Sequence, residues 1–199
     1  MNDYFTPTIF FSRSGVSTGL APMSYDLTFN RKIYLVGEIN DYMAMNIVSQ
    51  IGILESISLE DITIVINSPG GSISAGLAII DAMDASPCNI RTVCSGVAAS
   101  MAAMILLCGS DGNRFIYKNA EVMLHQPLAG VQGQASDINI VCERITRIKS
   151  SLLDIIAKRT SQKKKKLESY LDRDFWLTAN EAIDLNICDK IISKEEGTC

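Results

Sequence analysis

The stretch Ile62-Thr63-Ile64-Val65-Ile66-Asn67-Ser68-Pro69-Gly70-Gly71-Ser72 runs a β-branched strand into a glycine turn. An apolar helical stretch follows, from Ile73 to Met83. Adjacent glycines let the backbone turn with positive φ and approach a ligand closely. N–H groups exposed at such a turn can form an oxyanion hole or hold a peptide strand. Taken alone, the stretch is better read as an ordinary strand–turn–helix connection. On its N-terminal side, Ile33-Tyr34-Leu35-Val36 is strand-like. Asp41 to Glu55 is helical, with Met45, Val48 and Ile51 or Gly52 on one side. On its C-terminal side come a strand-like run from Ile90 to Cys94 and an apolar helical run from Met101 to Leu107. This alternation of strands and helices predicts an α/β fold around a mostly parallel sheet.

The chain has 199 residues, enough for one compact domain with a sizeable core. A hydrophobic share of 47% with 20% charged residues is ordinary for a globular protein. The net charge of −4 gives no reason to expect nucleic acid. The single basic run, Lys163 to Lys166, is followed by Glu168 and Asp172 and reads as a solvated helix face. The six cysteines form no C-x-x-C pair, and with one histidine the chain offers no zinc set. Most of them lie in apolar runs, as reduced cysteines do, so a cytoplasmic location is expected. The N-terminus lacks the charge and apolar core of a secretory signal. The longest strongly apolar run, Met101 to Cys108, is too short to span a bilayer, so no membrane association is expected.

Residues 1–24 are rich in Thr, Ser, Gly and Pro with scattered aromatics, and read as a flexible N-terminal arm. From Asp137 to Thr160 apolar residues recur at threes and fours: Ile138, Val141 or Cys142, Ile145, Ile148, Leu152, Ile155 or Ile156. That period predicts a long amphipathic helix whose stripe is either core or a seam between subunits. Thr178-Ala179-Asn180-Glu181 is a capping box that opens a short helix, Asn186 a left-handed terminator for it, and Cys188 to Ile192 a closing strand.

Three features bear on chemistry. Gly96-Val97-Ala98-Ala99-Ser100-Met101-Ala102-Ala103 places a serine between a strand-like and a helical run, with Ala98 and Ala102 at minus two and plus two. Small residues are needed there when a nucleophile sits on a sharp strand-to-helix turn. A helix N-terminus at Ser100 would favour developing negative charge. The competing reading is a small-residue packing face. His125 is the only histidine, so a serine nucleophile in this chain has one available imidazole base. A lone histidine in the apolar Val122-Met123-Leu124-His125 is otherwise most simply a packed structural residue. With Asp174 the chain order is Ser…His…Asp, unlike the chymotrypsin or α/β-hydrolase orders; a triad is defined by geometry, not order.

From about Arg31 to Ile192 the chain resembles the proteolytic-subunit family of the Clp protease, ClpP. The resemblance rests on Asn67-Ser68-Pro69-Gly70-Gly71, Ala98-Ala99-Ser100-Met101, Met123-Leu124-His125-Gln126-Pro127, Gly133-Gln134-Ala135 and Asp172-Arg173-Asp174. It implies a ClpP/crotonase-like superhelix of ββα units with a protruding helical handle at about 129–160. The peptidase domain would then cover 25–199, behind an arm or axial loop at 1–24. It further implies Ser100 as nucleophile, His125 as general base, Asp174 as orienting acid, and the backbone N–H groups of Gly71 and Met101 as oxyanion hole. Asp172 and Arg173 would contact the opposing ring. No metal and no cofactor are implied for this chain. ATP is used by a separate AAA+ unfoldase, and this chain has no P-loop motif. Two stacked rings of seven subunits, closed around unfolded protein substrates, are the implied assembly.

The chain departs from the family on the face that receives the unfoldase. Thr63 and Val65 stand where most members carry tyrosines, and the segment from Tyr25-Asp26 to Gly37 is about three residues shorter. A mixed complex with a second ClpP paralogue, in which this chain is a structural or regulatory ring, is therefore the alternative reading. A crotonase-type acyl-CoA enzyme, which shares the fold and a two-N–H oxyanion hole, is a third; the motifs favour the peptidase.

Overall fold

The computed structural model describes residues 8–13, 16–128, 130 and 132–193. Its main sheet follows from strands that bury alternate side chains. In β4 (Ile62–Ser68), Ile62, Ile64, Ile66 and Ser68 are fully buried, while Thr63 and Val65 face the other side. It pairs in parallel with β3 (Lys32–Val36) on one edge and β5 (Ile90–Ala99) on the other. The sheet continues through β6 (Arg114–Tyr117) to β9 (Lys190–Ile192), all parallel. The expected parallel α/β architecture is present.

One strand is longer than the sequence predicts, and its length matters. The expected strand ended at Cys94, yet β5 runs ten residues to Ala99. It serves two neighbours in succession. Thr92–Cys94 pair with Arg114–Ile116 of β6, and Val97–Ala99 pair with Glu121–Met123 of β7 (Glu121–Leu124). On its other edge the register against β4 shifts between Ile66 and Ser68. There the Asn67 side chain accepts a hydrogen bond from the Val97 N–H at 3.3 Å. Gly96, Ala98 and Ala99 have little strand propensity of their own, so pairing on both edges sets the conformation of this part of β5. β7 in turn pairs antiparallel with β8 (Phe175–Thr178).

Helices cover the buried face of the sheet. α3 (Ile73–Ala85) buries Ala75, Ile79, Ile80 and Met83, and α4 (Met101–Leu107) is buried at every residue. α2 (Asp41–Ile57) lies in a different phase from the one expected. Ala44, Ile47, Ile51 and Leu54 enter the core, while Met45 and Ile53 are more than half exposed. The helix is apolar on two faces, so period alone could not choose between them.

α5 (Ala135–Thr160) is the long helix that the sequence predicts. Only its last part is embedded: Leu152, Leu153, Ile156 and Thr160 are buried, whereas Ile138, Val141 and Ile145 are half-buried and Cys142 is exposed. The basic run opens α6 (Lys164–Tyr170), with the lysines exposed and Leu167 buried. α7 (Ala179–Asp184) starts at the expected capping box, and Asn186 has φ 58°.

The buried Arg114 ties this C-terminal part together. Its guanidinium donates to Asp189 at 2.9 and 2.5 Å and to the carbonyls of Arg159 and Asn186 at 3.2 and 2.8 Å.

Within the segment expected as a flexible arm, β1 (Ile9–Arg13) and β2 (Val16–Leu20) form an antiparallel hairpin, and α1 (Pro22–Asn30) begins before residue 25. Residues 1–7 of that arm, and Cys199, lie outside the described residues. Tyr34 of β3 donates to the Asp26 carboxylate of α1. That bond raises the Tyr34 hydroxyl to about 12 and lowers Asp26.

Candidate active site

β5 gives way at Ser100 to α4, and Ser100 has φ 54° and ψ −122°. This is a sparsely populated region for a residue with a side chain, costing on the order of 1–3 kcal/mol. Two contacts hold it there. The Ser100 N–H donates to the Met123 carbonyl at 2.8 Å, locking the turn to β7. Gly70 packs so closely on the turn that an added Cβ would lie 2.6 Å from the Ala99 carbonyl oxygen and 2.7 Å from the Ser100 Cβ. Gly71 is pressed as closely against the Ile39 backbone, which also takes part in a short bridge to it.

Ser100 occupies the N-cap position of α4. A serine there ordinarily spends its oxygen on the helix's free N–H groups, but this one makes no capping bond. Its Oγ instead lies 2.8 Å from His125 Nε2. The geometry follows from strand pairing. β7 and β8 are antiparallel with Leu124 opposite Phe175, so the next residue on one strand, His125, faces the preceding residue on the other, Asp174. His125 Nδ1 and Asp174 Oδ1 are 3.5 Å apart, an ion-pair distance. The imidazole side chain is 15% exposed and the carboxylate 62%. The structure therefore brings Ser100, His125 and Asp174 together from β5, β7 and β8, segments well separated in sequence.

Gly71 and Met101 line the same cavity as Ser100 and His125. The cavity has a volume of about 270 Å³ and a mainly apolar wall from Met104, Met123, Leu152, Leu153 and Ile156. The turn holding Gly70 and Gly71 thus sits beside the serine and the first residue of α4. Asp172 and Arg173 lie apart from this cavity, on the exposed turn before β8. Arg173 is 94% exposed, and its Nε lies 3.8 Å from Asp172 Oδ2.

Three buried cysteines are held in the unreactive thiol form by their surroundings. Burial pushes the Cys94 and Cys108 thiols up to about 12, and Cys188 is also raised by burial. Among the described residues no cluster of three or more His, Cys, Asp or Glu could hold a metal ion. None of the helices among them is long and apolar enough to cross a membrane. Gly70 was not singled out from the sequence, which pointed to Gly71. The signal was the glycine pair itself, but only the packing shows that Gly70 is the residue against the serine.

A family model described as Clp protease matches residues 20–195. An ATP-dependent Clp protease proteolytic subunit from Porphyromonas gingivalis (strain ATCC BAA-308 / W83) is 40% identical over 194 residues, covering 97% of this chain and 87% of that relative.

Proposed function

Since the chain belongs to the Clp protease family, we propose that Ser100, His125 and Asp174 are the nucleophile, general base and orienting acid of its peptidase site. The protein is a serine peptidase of that family, a proteolytic subunit. The observation that carries the residue assignment is the 2.8 Å contact between Ser100 Oγ and His125 Nε2, made by a serine whose backbone is held at positive φ beside an apolar cavity.

The chemistry follows from the geometry. Ser100 Oγ attacks the scissile carbonyl carbon while His125 Nε2 takes the hydroxyl proton. Asp174 on the Nδ1 side orients the ring and stabilises the imidazolium. The carbonyl oxygen becomes an oxyanion facing the N–H groups of Gly71 and Met101; one such donor contributes about 3–4 kcal/mol. Collapse of the tetrahedral adduct breaks the C–N bond, and the leaving amine takes the proton from His125. Water then adds to the acyl-serine through the same base, releasing the acid and restoring the serine. Residues in the apolar cavity, Met104, Met123 and Leu153 among them, would receive an apolar substrate side chain.

The family works as an oligomer with an ATPase partner, and its peptidase chemistry needs no cofactor. For this chain the finer reading is two stacked heptameric rings closed around unfolded polypeptide. Arg173 and Asp172 would lie at the contact between rings, and α5 would project as the handle. Exposure of Arg173 and of the first half of α5 supports this. The unfoldase would dock on the outer face of the sheet. There Tyr34, Phe115 and Tyr117 flank Thr63 and Val65 around a hollow of about 630 Å³, so neighbouring strands supply aromatics where β4 has none. A mixed complex with a divergent paralogue is the alternative assembly, and it rests on that altered β4 face. A cytoplasmic location fits the free cysteines among the described residues, of which all but Cys142 are buried.

Replacing Ser100 by Ala tests the assignment. Peptide cleavage should be lost while the assembled mass is unchanged. Cleavage near the unmodified rate would place the nucleophile elsewhere.

A further inference from the structure

Gln126 follows His125 directly, and both ends of its side-chain amide are engaged. Its Oε1 accepts from Lys149 Nζ of α5 at 2.7 Å. Its Nε2 donates to the Asp172 carbonyl at 3.2 Å and lies 3.5 Å from Asp172 Oδ1. Its backbone N–H donates to the Leu171 carbonyl at 2.9 Å. Lys149 can only donate hydrogen bonds, so its ammonium fixes which end of the amide faces which way. The nitrogen end is then committed to the 171–174 turn.

That turn carries Asp174. The turn is exposed at Asp172 and Arg173, and the Asp174 carboxylate is mostly exposed and stands 3.5 Å from the imidazole. Strand pairing places Asp174 opposite His125, and the Gln126 amide adds a side-chain tie from the histidine segment to the turn that precedes Asp174. We infer that Lys149 and Gln126 are positioning residues, which act through Asp174 by holding its turn at a fixed distance from His125. The inference rests on the triad reading above. It adds a route from α5, the projecting helix, to the acid of the triad. The ammonium orients the amide, the amide holds the turn, and the turn sets the carboxylate. Neither residue needs to touch substrate for this.

Gln126→Glu is the sharpest probe. A carboxylate keeps the Lys149 contact but offers no hydrogen to Asp172, and it sets oxygen against oxygen at the turn. Rates are read as peptide kcat and KM, and as the rate of covalent labelling by a small fluorophosphonate, which reports serine activation without peptide binding. Gln126→Glu should lower kcat and labelling together by about tenfold, the rate equivalent of one net hydrogen bond, with KM little changed. In an Asp174→Asn background the same substitution should change labelling by less than about twofold, because its route is already cut. Lys149→Met should lower the rates in the same pattern, and Lys149→Arg should retain most of what Lys149→Met loses. Sedimentation of every variant identifies any that fail to assemble, and the Lys149 pair decides the matter if Gln126→Glu is among them. An equal loss from Gln126→Glu in both backgrounds, a loss confined to KM, or unmodified rates in both Gln126→Glu and Lys149→Met would overturn the inference while leaving the triad standing. An Asp174→Asn protein with unmodified rates would overturn both.

Discussion

Gly70→Ala should disable the site through a sub-ångström displacement. An alanine Cβ at position 70 would meet the Ala99 carbonyl oxygen at 2.6 Å, the Ser100 Cβ at 2.7 Å and the Met101 nitrogen at 3.0 Å, where ordinary contact begins near 3.4 Å. All three atoms belong to the backbone turn of the nucleophile or its Cβ, so no flexible side chain can yield. The shortfall is about 0.8 Å, and either the glycine turn or the serine turn must move by that amount. Both hold the proposed reacting geometry: one carries the proposed oxyanion donor of Gly71, the other Ser100 Oγ and the Met101 N–H. A misplacement of about 1 Å can cost about 100-fold in rate, so kcat/KM should fall by about that factor. The φ of +92° adds backbone strain of about 1–3 kcal/mol for any residue but glycine. Gly112→Ala separates the two effects. Gly112 also has positive φ, +80°, but nothing lies within 4 Å of its added Cβ. That variant should lose stability and keep its kcat/KM. The assay is fluorogenic peptide turnover with a thermal melt on each preparation. A Gly70→Ala protein that keeps kcat/KM within about threefold of the unmodified chain would refute this account of the close approach.

Acidification from about pH 8 to about pH 5 should remove peptidase activity in protein that stays assembled, because protonated His125 cannot accept the serine proton; a flat profile in assembled protein contradicts its role as base. Arg173→Ala should weaken ring–ring assembly and lower turnover together, since the same turn carries Asp174; sedimentation and peptidase assays that both match the unmodified protein would remove the ring-contact role. Arg114→Met should destabilise the fold by about 1.5–3 kcal/mol in denaturant titration, because it leaves the partly buried Asp189 without its cation and two carbonyls without their guanidinium donor. Burial pushes the Asp189 carboxyl up, but the hydrogen bonds and charge of Arg114 outweigh this and leave it below its ordinary 3.8. A carboxyl lowered in the folded state contributes fully above 3.8 and loses that contribution as pH falls through the depressed folded value. The difference between Arg114→Met and the unmodified protein should therefore shrink in that acid range and persist at neutral pH, which denaturant titrations at both pH values would check.

What could be read from the sequence was what is local. The strand and glycine turn of 62–72, the apolar helix after Ser100, the 3.6-residue stripe of α5 and the capping box at Thr178 each announce themselves within a few residues. β7 and β8 do not. Each has four residues without clear alternation, and each exists through its pairing with the other, while β7 also pairs with the upper half of β5. That pairing sets His125 opposite Asp174, which no local run of sequence shows; the sequence offered Ser100, the lone His125 and Asp174 as candidates, and the family resemblance implied their roles. α2 was mis-phased because Met45 and Ile53 are as apolar as the residues that enter the core. Gly70 and Gln126 were legible as residues but not as parts of the site. What marks them is contact with segments about 30 and 46 positions away.

The central claim is that Ser100 is a nucleophile activated by His125. Mass measurement of the protein after treatment with a fluorophosphonate tests it most directly. The account predicts one adduct per chain, mapped by peptide sequencing to Ser100, and its absence in His125→Ala protein that remains assembled. An adduct on another residue, or undiminished labelling of Ser100 without the imidazole, would contradict it.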